Sequence, residues 1–346
     1  MESSQNVGIP DDALTLANDL IQSRNLFQSL SPASASVSKI TLNDPNLMTA
    51  MSYQDPTSRN LAIFAYLISI AEANNLGQTP AVQALKTARD AIQTTGSVDD
   101  TTFNQRLQMS TEGAYSVNTS ANGPLAEIWT TVTLRIPLYC IWDCVSYVYT
   151  MCIEPLATRI QVEFHLIQFR NIVKALAYAR KPPRGFSPPT VTAIWTDYQD
   201  NSQPILSAFA TTAVGREGEK MAIVAARVSF ISDLLTKVFN HQQQITLQSG
   251  LSKPPNYAGN CGEYLAIGML CWNSGRFGGL CISVFGKYAL EFCSWCGSLS
   301  ATLGQYGVYI QDYWLASSLT DETKVVPAKV QGGYSYCMFK AEYEHL

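Results

Sequence analysis

The sequence predicts an α+β chain, with an all-helical region over residues 1–160 followed by an α/β region over residues 161–346. Three observations point to this. Apolar residues recur at helical spacing through the first half. The run Lys181-Pro-Pro-Arg-Gly-Phe-Ser-Pro-Pro189 then breaks regular structure. Beyond it, short β-rich runs are punctuated by glycine turns and by two cysteine-bearing segments.

Composition narrows the classes before any motif is read. Of 346 residues, 47% are hydrophobic and 14% charged, against about 25% charged in an ordinary soluble domain. Apolar content this high can offset the entropy of ordering, which excludes wholesale disorder. Twenty-three basic residues against 27 acidic give a net charge of −4. That is not the basic surface of a general nucleic-acid binder, although a specific RNA or DNA target stays open. The start, Met-Glu-Ser-Ser-Gln-Asn-Val, lacks the basic and apolar regions of a secretory signal. An intracellular protein, cytoplasmic or nuclear and without a membrane partner, is therefore expected. Nine cysteines in a reducing compartment point to metal binding or catalysis sooner than to disulfides.

The elements follow in chain order. Asp11 and Asp12 can cap a helix bearing Leu14, Ala17, Leu20 and Ile21. Leu61, Phe64, Leu67, Ile68 and Ala71 form one helical face. Thr79-Pro80 opens a third helix, with Val82, Leu85 and Ile92 inward and Gly96 at its end. Asp99 and Asp100 precede Phe103 and Leu107, one more helical segment. Leu138 to Ile153 is the most apolar stretch. Asp143 interrupts it and it falls short of the roughly 20 residues a membrane span needs, so it reads as a core helix. Its Cys140, Cys144 and Cys152 read as small core residues rather than a second metal site. A helix over about 163–180 buries Leu166, Phe169 and Ile172, with His165 in a structural role.

In the second half, Ile205 to Val214 reads as a strand and Gly215 to Lys220 as a turn. Met221 to Phe230 fits either a return strand or a helix running on toward Phe239. Gly278 to Phe285 and Gly307 to Trp314 read as further strands.

The chemistry sits in two segments, Asn260-Cys261-Gly262-Glu263 and Phe292-Cys293-Ser294-Trp295-Cys296. Three thiolates at two helix starts can hold one zinc ion and leave its fourth tetrahedral position open. A helix N-terminus favours the thiolate form that binds metal. Glu263, in the first turn after Cys261, can reach the metal's open side without being a ligand. A structural zinc site or metal-free core thiols are the other readings of these cysteines. For Glu263 the bland reading is a carboxylate favouring the positive end of a helix dipole.

These residues resemble the zinc-dependent cytidine deaminase superfamily, with its His/Cys-x-Glu and Pro-Cys-x-x-Cys elements. Cys261-Gly262-Glu263 is similar to the Cys-Ala-Glu variant, and Cys293-Ser-Trp-Cys296 to the second element. The 32-residue interval between Cys261 and Cys293 holds the rest of one helix, a loop and a strand. The resemblance implies a three-layer domain with a mixed central sheet over residues 161–346, in the order strand, strand, helix, strand, helix, strand. It implies a Zn²⁺ cofactor on Cys261, Cys293 and Cys296, with Glu263 moving the proton during hydrolytic deamination. Phe292 stands where the family has proline, and Gly262 where alanine is common.

Asn260, Tyr257 and Trp295 are candidates to line a base-sized pocket, since an amide reads ring edges and aromatic faces stack. Tyr306 is a weaker candidate, and Tyr309 and Trp314 fit core positions. His241, about 20 residues before the first motif, fits an exposed loop. No Gly-x-Ser-x-Gly elbow, Walker loop or Gly-x-Gly-x-x-Gly motif is present. The expected function is a zinc-dependent nucleobase deaminase, cytosine-type favoured, acting on a nucleoside or a nucleic acid. The alternative is a non-catalytic binding protein with a deaminase-like structural zinc. In either case the helical half can serve a partner protein.

Overall fold

Two aspartate–proline pairs each open a helix. In the computed structural model, which describes residues 39–95, 111–115, 134–178, 188, 190–197, 204–214, 217–237, 259–270, 275–285, 289–290 and 293–312, helix α1 spans Pro45–Ser52 and α2 spans Pro56–Ala73. Asp44 Oδ1 accepts the Asn46 and Leu47 amides, and Asp55 Oδ2 accepts the Ser58 amide. Each carboxylate thus satisfies donors that a helix start leaves open, and proline at the first position costs no hydrogen bond. Helix α3, Pro80–Thr95, begins where the Thr79-Pro80 pair predicts and buries Val82, Leu85 and Ile92. The expected helices near residues 11 and 99, together with Tyr257, His241 and Trp314, lie outside the described residues.

A two-stranded antiparallel ribbon, β1 (Thr111–Tyr115) and β2 (Leu134–Leu138), comes next, so the region over residues 1–160 is not all-helical as expected. Helix α4, Ile141–Cys152, is buried on nearly every side, which fits its all-round apolar sequence. Cys144 and Cys152 are core residues, and burial pushes the Cys152 thiol up to about 12. Helix α5 spans Arg159–Tyr178. On it, His165 is fully buried with its Nδ1 3.1 Å from the Tyr149 hydroxyl, a structural position.

The main sheet is mixed. Strand β3 (Thr190–Thr196) lies between β4 (Ser207–Thr211) and β5 (Gly275–Ser283) and is antiparallel to both. The far edge of β5 carries the short β6 (Ala289–Leu290), antiparallel, and β7 (Val308–Asp312), parallel. Every β3 side chain is buried, because helices cover both faces. Phe209 of β4 packs on Tyr149 of α4 and Phe169 of α5. Side chains alternate across a sheet, so Thr192 of β3 and Ala210 of β4, opposite one another, face the other side. There they meet helix α7, Gly262–Leu270. The free edge of β4 is covered by α4, where Thr150 Oγ1 accepts the Phe209 amide at 2.9 Å and donates to its carbonyl at 3.1 Å.

Of the two readings of Met221 to Phe230 the helix is the one formed, and it begins inside the segment expected to be a turn. Residues Glu217–Lys237 form helix α6. Ile223, Val224, Arg227, Phe230, Ile231 and Leu234 are buried along one face at three- and four-residue intervals. The two strands that pair ahead of Cys261 in the chain are β3 and β4. Helix α8, Ser294–Gly304, precedes β7. One continuous core runs from Ile40 to Val308, drawing on residues before and after position 160.

Candidate metal centre

The first cysteine is placed by a tight turn against the end of β4. Gly259 sits at φ +85°, a conformation that suits glycine, and the Asn260 carbonyl then accepts the Ala213 amide at 2.8 Å. Cys261 follows and α7 begins at Gly262. The second and third cysteines open α8, with Cys293 at the N-cap and Cys296 in the first turn. Both helix starts bring orphan amides and positive dipole ends to the thiols, the environment that favours thiolate.

The three sulfurs meet. Cys261 Sγ and Cys293 Sγ are 3.5 Å apart, as are Cys293 Sγ and Cys296 Sγ. All three lie within 4.8 Å of one another, and none is in a disulfide. Thiolates about 2.3 Å from a tetrahedral zinc stand roughly 3.8 Å apart, whereas a disulfide needs about 2.05 Å. The donor set and spacing therefore fit a soft, four-coordinate metal. Among the described residues this is the one group of three or more metal-ligating side chains drawn so close.

Glu263 lies in the first turn of α7 and is fully buried. Neither carboxylate oxygen reaches a hydrogen-bond partner of good geometry. Burial, and secondarily Cys293, pushes its acid form up to about 8. The Thr192 hydroxyl faces it from β3 and offsets a little of this, although at too loose a geometry to count as a satisfied bond. Asp312, at the end of β7, adds slightly to the rise.

Behind the cluster lies a buried ion pair. Arg227 of α6 and Asp143 of α4 are both fully buried, with Nη2 2.7 Å from Oδ1. The guanidinium also donates to the carbonyls of Cys261 and Asn260.

The remaining candidates divide. Asn260 is buried beside the cluster with its Oδ1 unpartnered. Trp295 is half-buried in the first turn of α8, and its carbonyl accepts from the Tyr264 hydroxyl at 3.5 Å. Tyr306 packs partly buried against the core. Tyr309 corrects an expectation: it is 60% exposed, not core, because alternate β7 side chains face outward. Thr192, Arg227 and Asp143 were not anticipated as neighbours of the cluster. A charge inside the apolar α4 stretch and another inside the apolar α6 stretch were the available signals; Thr192 left none.

No helix among the described residues is long and apolar enough to cross a membrane. Comparison with protein-family models, with curated proteins and with solved structures finds no match for this chain.

Proposed function

We propose that this chain is a zinc-dependent hydrolytic deaminase of an amine-bearing nucleobase, cytosine-type favoured, in a nucleoside or a nucleic acid. The observation that carries the reading is a convergence. Three thiols from two helix starts meet, and two residues past the first of them lies a buried carboxylate with no partner for either oxygen. Leaving such a group unsatisfied in a core costs free energy, and unpaired buried polar groups are rare outside functional places.

Cys261, Cys293 and Cys296 would hold the ion, with the amides of α7 and α8 stabilising their negative charge. A bound zinc supplies Lewis acidity and makes water a nucleophile near neutral pH. Glu263 would take one proton from the attacking water and pass it to the ring nitrogen, and would then carry the second proton of that water to the amine as it leaves as ammonia. Thr192 faces the carboxylate from β3. Asn260 reads a ring edge, and Trp295 supplies an aromatic wall. The element order supports the reading: the pair β3–β4, then α7 with Cys261, β5, α8 with Cys293 and Cys296, and β7. Helices on both faces of the mixed sheet accord with a three-layer domain of the deaminase type. The helices before it would then frame the domain and offer surface to a partner protein.

The test is base conversion, followed by mass spectrometry and ammonia release. Substrates are cytidine, adenosine, and single-stranded and duplex RNA and DNA, with Glu263→Gln as control. Product from wild type, reduced about 10²- to 10⁴-fold in Glu263→Gln at equal zinc content, supports the proposal. Full zinc in both proteins with no product on any substrate contradicts it.

A further inference from the structure

A single guanidinium ties the helical half of the chain to the turn that carries the first thiol. Arg227 Nη2 donates to Asp143 Oδ1 at 2.7 Å and to the Thr211 carbonyl at 2.9 Å. Nη1 donates to the carbonyls of Cys261 at 3.2 Å and Asn260 at 3.4 Å. Asp143 is itself oriented, its Oδ2 accepting the Tyr139 amide at 3.1 Å. One planar fork thus grips a carboxylate on α4, the end of β4, and two consecutive carbonyls beside the cluster.

A buried ion pair is weak evidence for stability, since well-packed apolar residues of like volume often do as well. Apolar residues cannot hold carbonyls, however, and the carbonyls held are those of Cys261 and its neighbour. Fixing that peptide fixes the direction of the Cys261 side chain. Helix α6, which carries Arg227, is also extra to the strand, strand, helix, strand, helix, strand order. Lysine, a point charge without the fork, could pair with Asp143 but not reproduce the other three bonds.

We infer that the Asp143–Arg227 pair is a positioning device for the metal centre, setting the Cys261 backbone so that its Sγ meets those of Cys293 and Cys296. This rests on the reading of those three cysteines as metal ligands. It makes α4, from the N-terminal half, part of the machinery that sets metal affinity. Coupling of this kind is reciprocal: zinc must tighten the clamp by the factor by which the clamp tightens zinc.

The experiment uses the full chain. Zinc affinity is measured by chelator competition, and the thiolate-to-metal charge-transfer bands by cobalt substitution. In Arg227→Lys, zinc affinity falls about 10- to 100-fold, the usual effect of losing an outer support of a metal ligand, and the cobalt bands weaken or shift. Asp55→Ala, which removes the cap of α2 and touches neither β4 nor residues 259–262, keeps wild-type affinity and spectrum. A folded Arg227→Lys protein with wild-type zinc affinity and cobalt spectrum overturns the inference. Should that variant not fold, hydrogen exchange on the wild type decides. Zinc slows amide exchange in α6 around Arg227 and in the first turn of α4, and unchanged exchange overturns the inference. A wild type that binds no zinc defeats the metal reading itself, which is seen before any variant is made.

Discussion

Gly262 rests directly on the backbone of Ala210. A Cβ at residue 262 would stand 2.9 Å from the Ala210 carbonyl oxygen and 3.1 Å from its carbonyl carbon. Helix α7 therefore starts hard against the end of β4, and the same contact sets where Cys261 and Glu263 lie. The alanine that the family resemblance implies at this position would have to push strand and helix apart.

Substituting Gly262→Ala should thus be destabilising even though alanine is the better helix former. Backbone overpacking costs about 1–3 kcal/mol, and the propensity gain returns up to about 1 kcal/mol. Urea denaturation should show a net loss, with weaker zinc binding. A variant as stable as wild type, with equal zinc affinity, would count against this packing.

Thr150→Val removes the hydroxyl that serves both backbone groups of Phe209 on the β4 edge. Valine keeps the shape and leaves an amide and a carbonyl without their partner. A loss of about 1–3 kcal/mol is expected, with faster exchange of the Phe209 amide. No change in either would mean that the edge is satisfied in another way.

His165 makes stability depend on pH in a defined direction. Burial lowers its pKa below the usual histidine value, and Glu154, 3.8 Å from Nε2, opposes this only in part. Below about pH 6.5 the unfolded chain takes up a proton that the folded chain refuses. The contribution is therefore complete above that pH and is lost as pH falls toward the folded value. The limiting slope is about 1.4 kcal/mol per pH unit. Urea midpoints between pH 7.5 and 5 should fall more steeply for wild type than for His165→Gln; equal slopes would contradict the assignment.

Local chemistry was legible in the sequence, and long-range chemistry was not. Helices α2, α3, α4 and α5 announced themselves by apolar spacing or an apolar run, and α3 also by its Thr-Pro start. The central strand β3 did not, because a strand covered on both faces shows no alternation, and Thr-Val-Thr-Ala-Ile-Trp-Thr is buried throughout. Met221 to Phe230 stayed ambiguous because alanine and β-branched residues are mixed there, and tertiary packing of one face selected the helix. Cys261, Glu263, Cys293 and Cys296 were legible because each helix start carries its own short motif. Arg227 and Asp143 are 84 residues apart, and no spacing rule joins them. The nearness of Thr192 to Glu263 likewise follows only from how α7 lies on β3.

If three thiolates form one metal site, the chain holds a stoichiometric ion, and zinc per chain reads this out. Wild type and Cys293→Ala/Cys296→Ala, purified under reducing conditions, are compared by elemental mass spectrometry. About one zinc per chain is expected in wild type, and its loss in the double variant. Well-folded wild type without zinc would contradict the account and return the three cysteines to ordinary core residues.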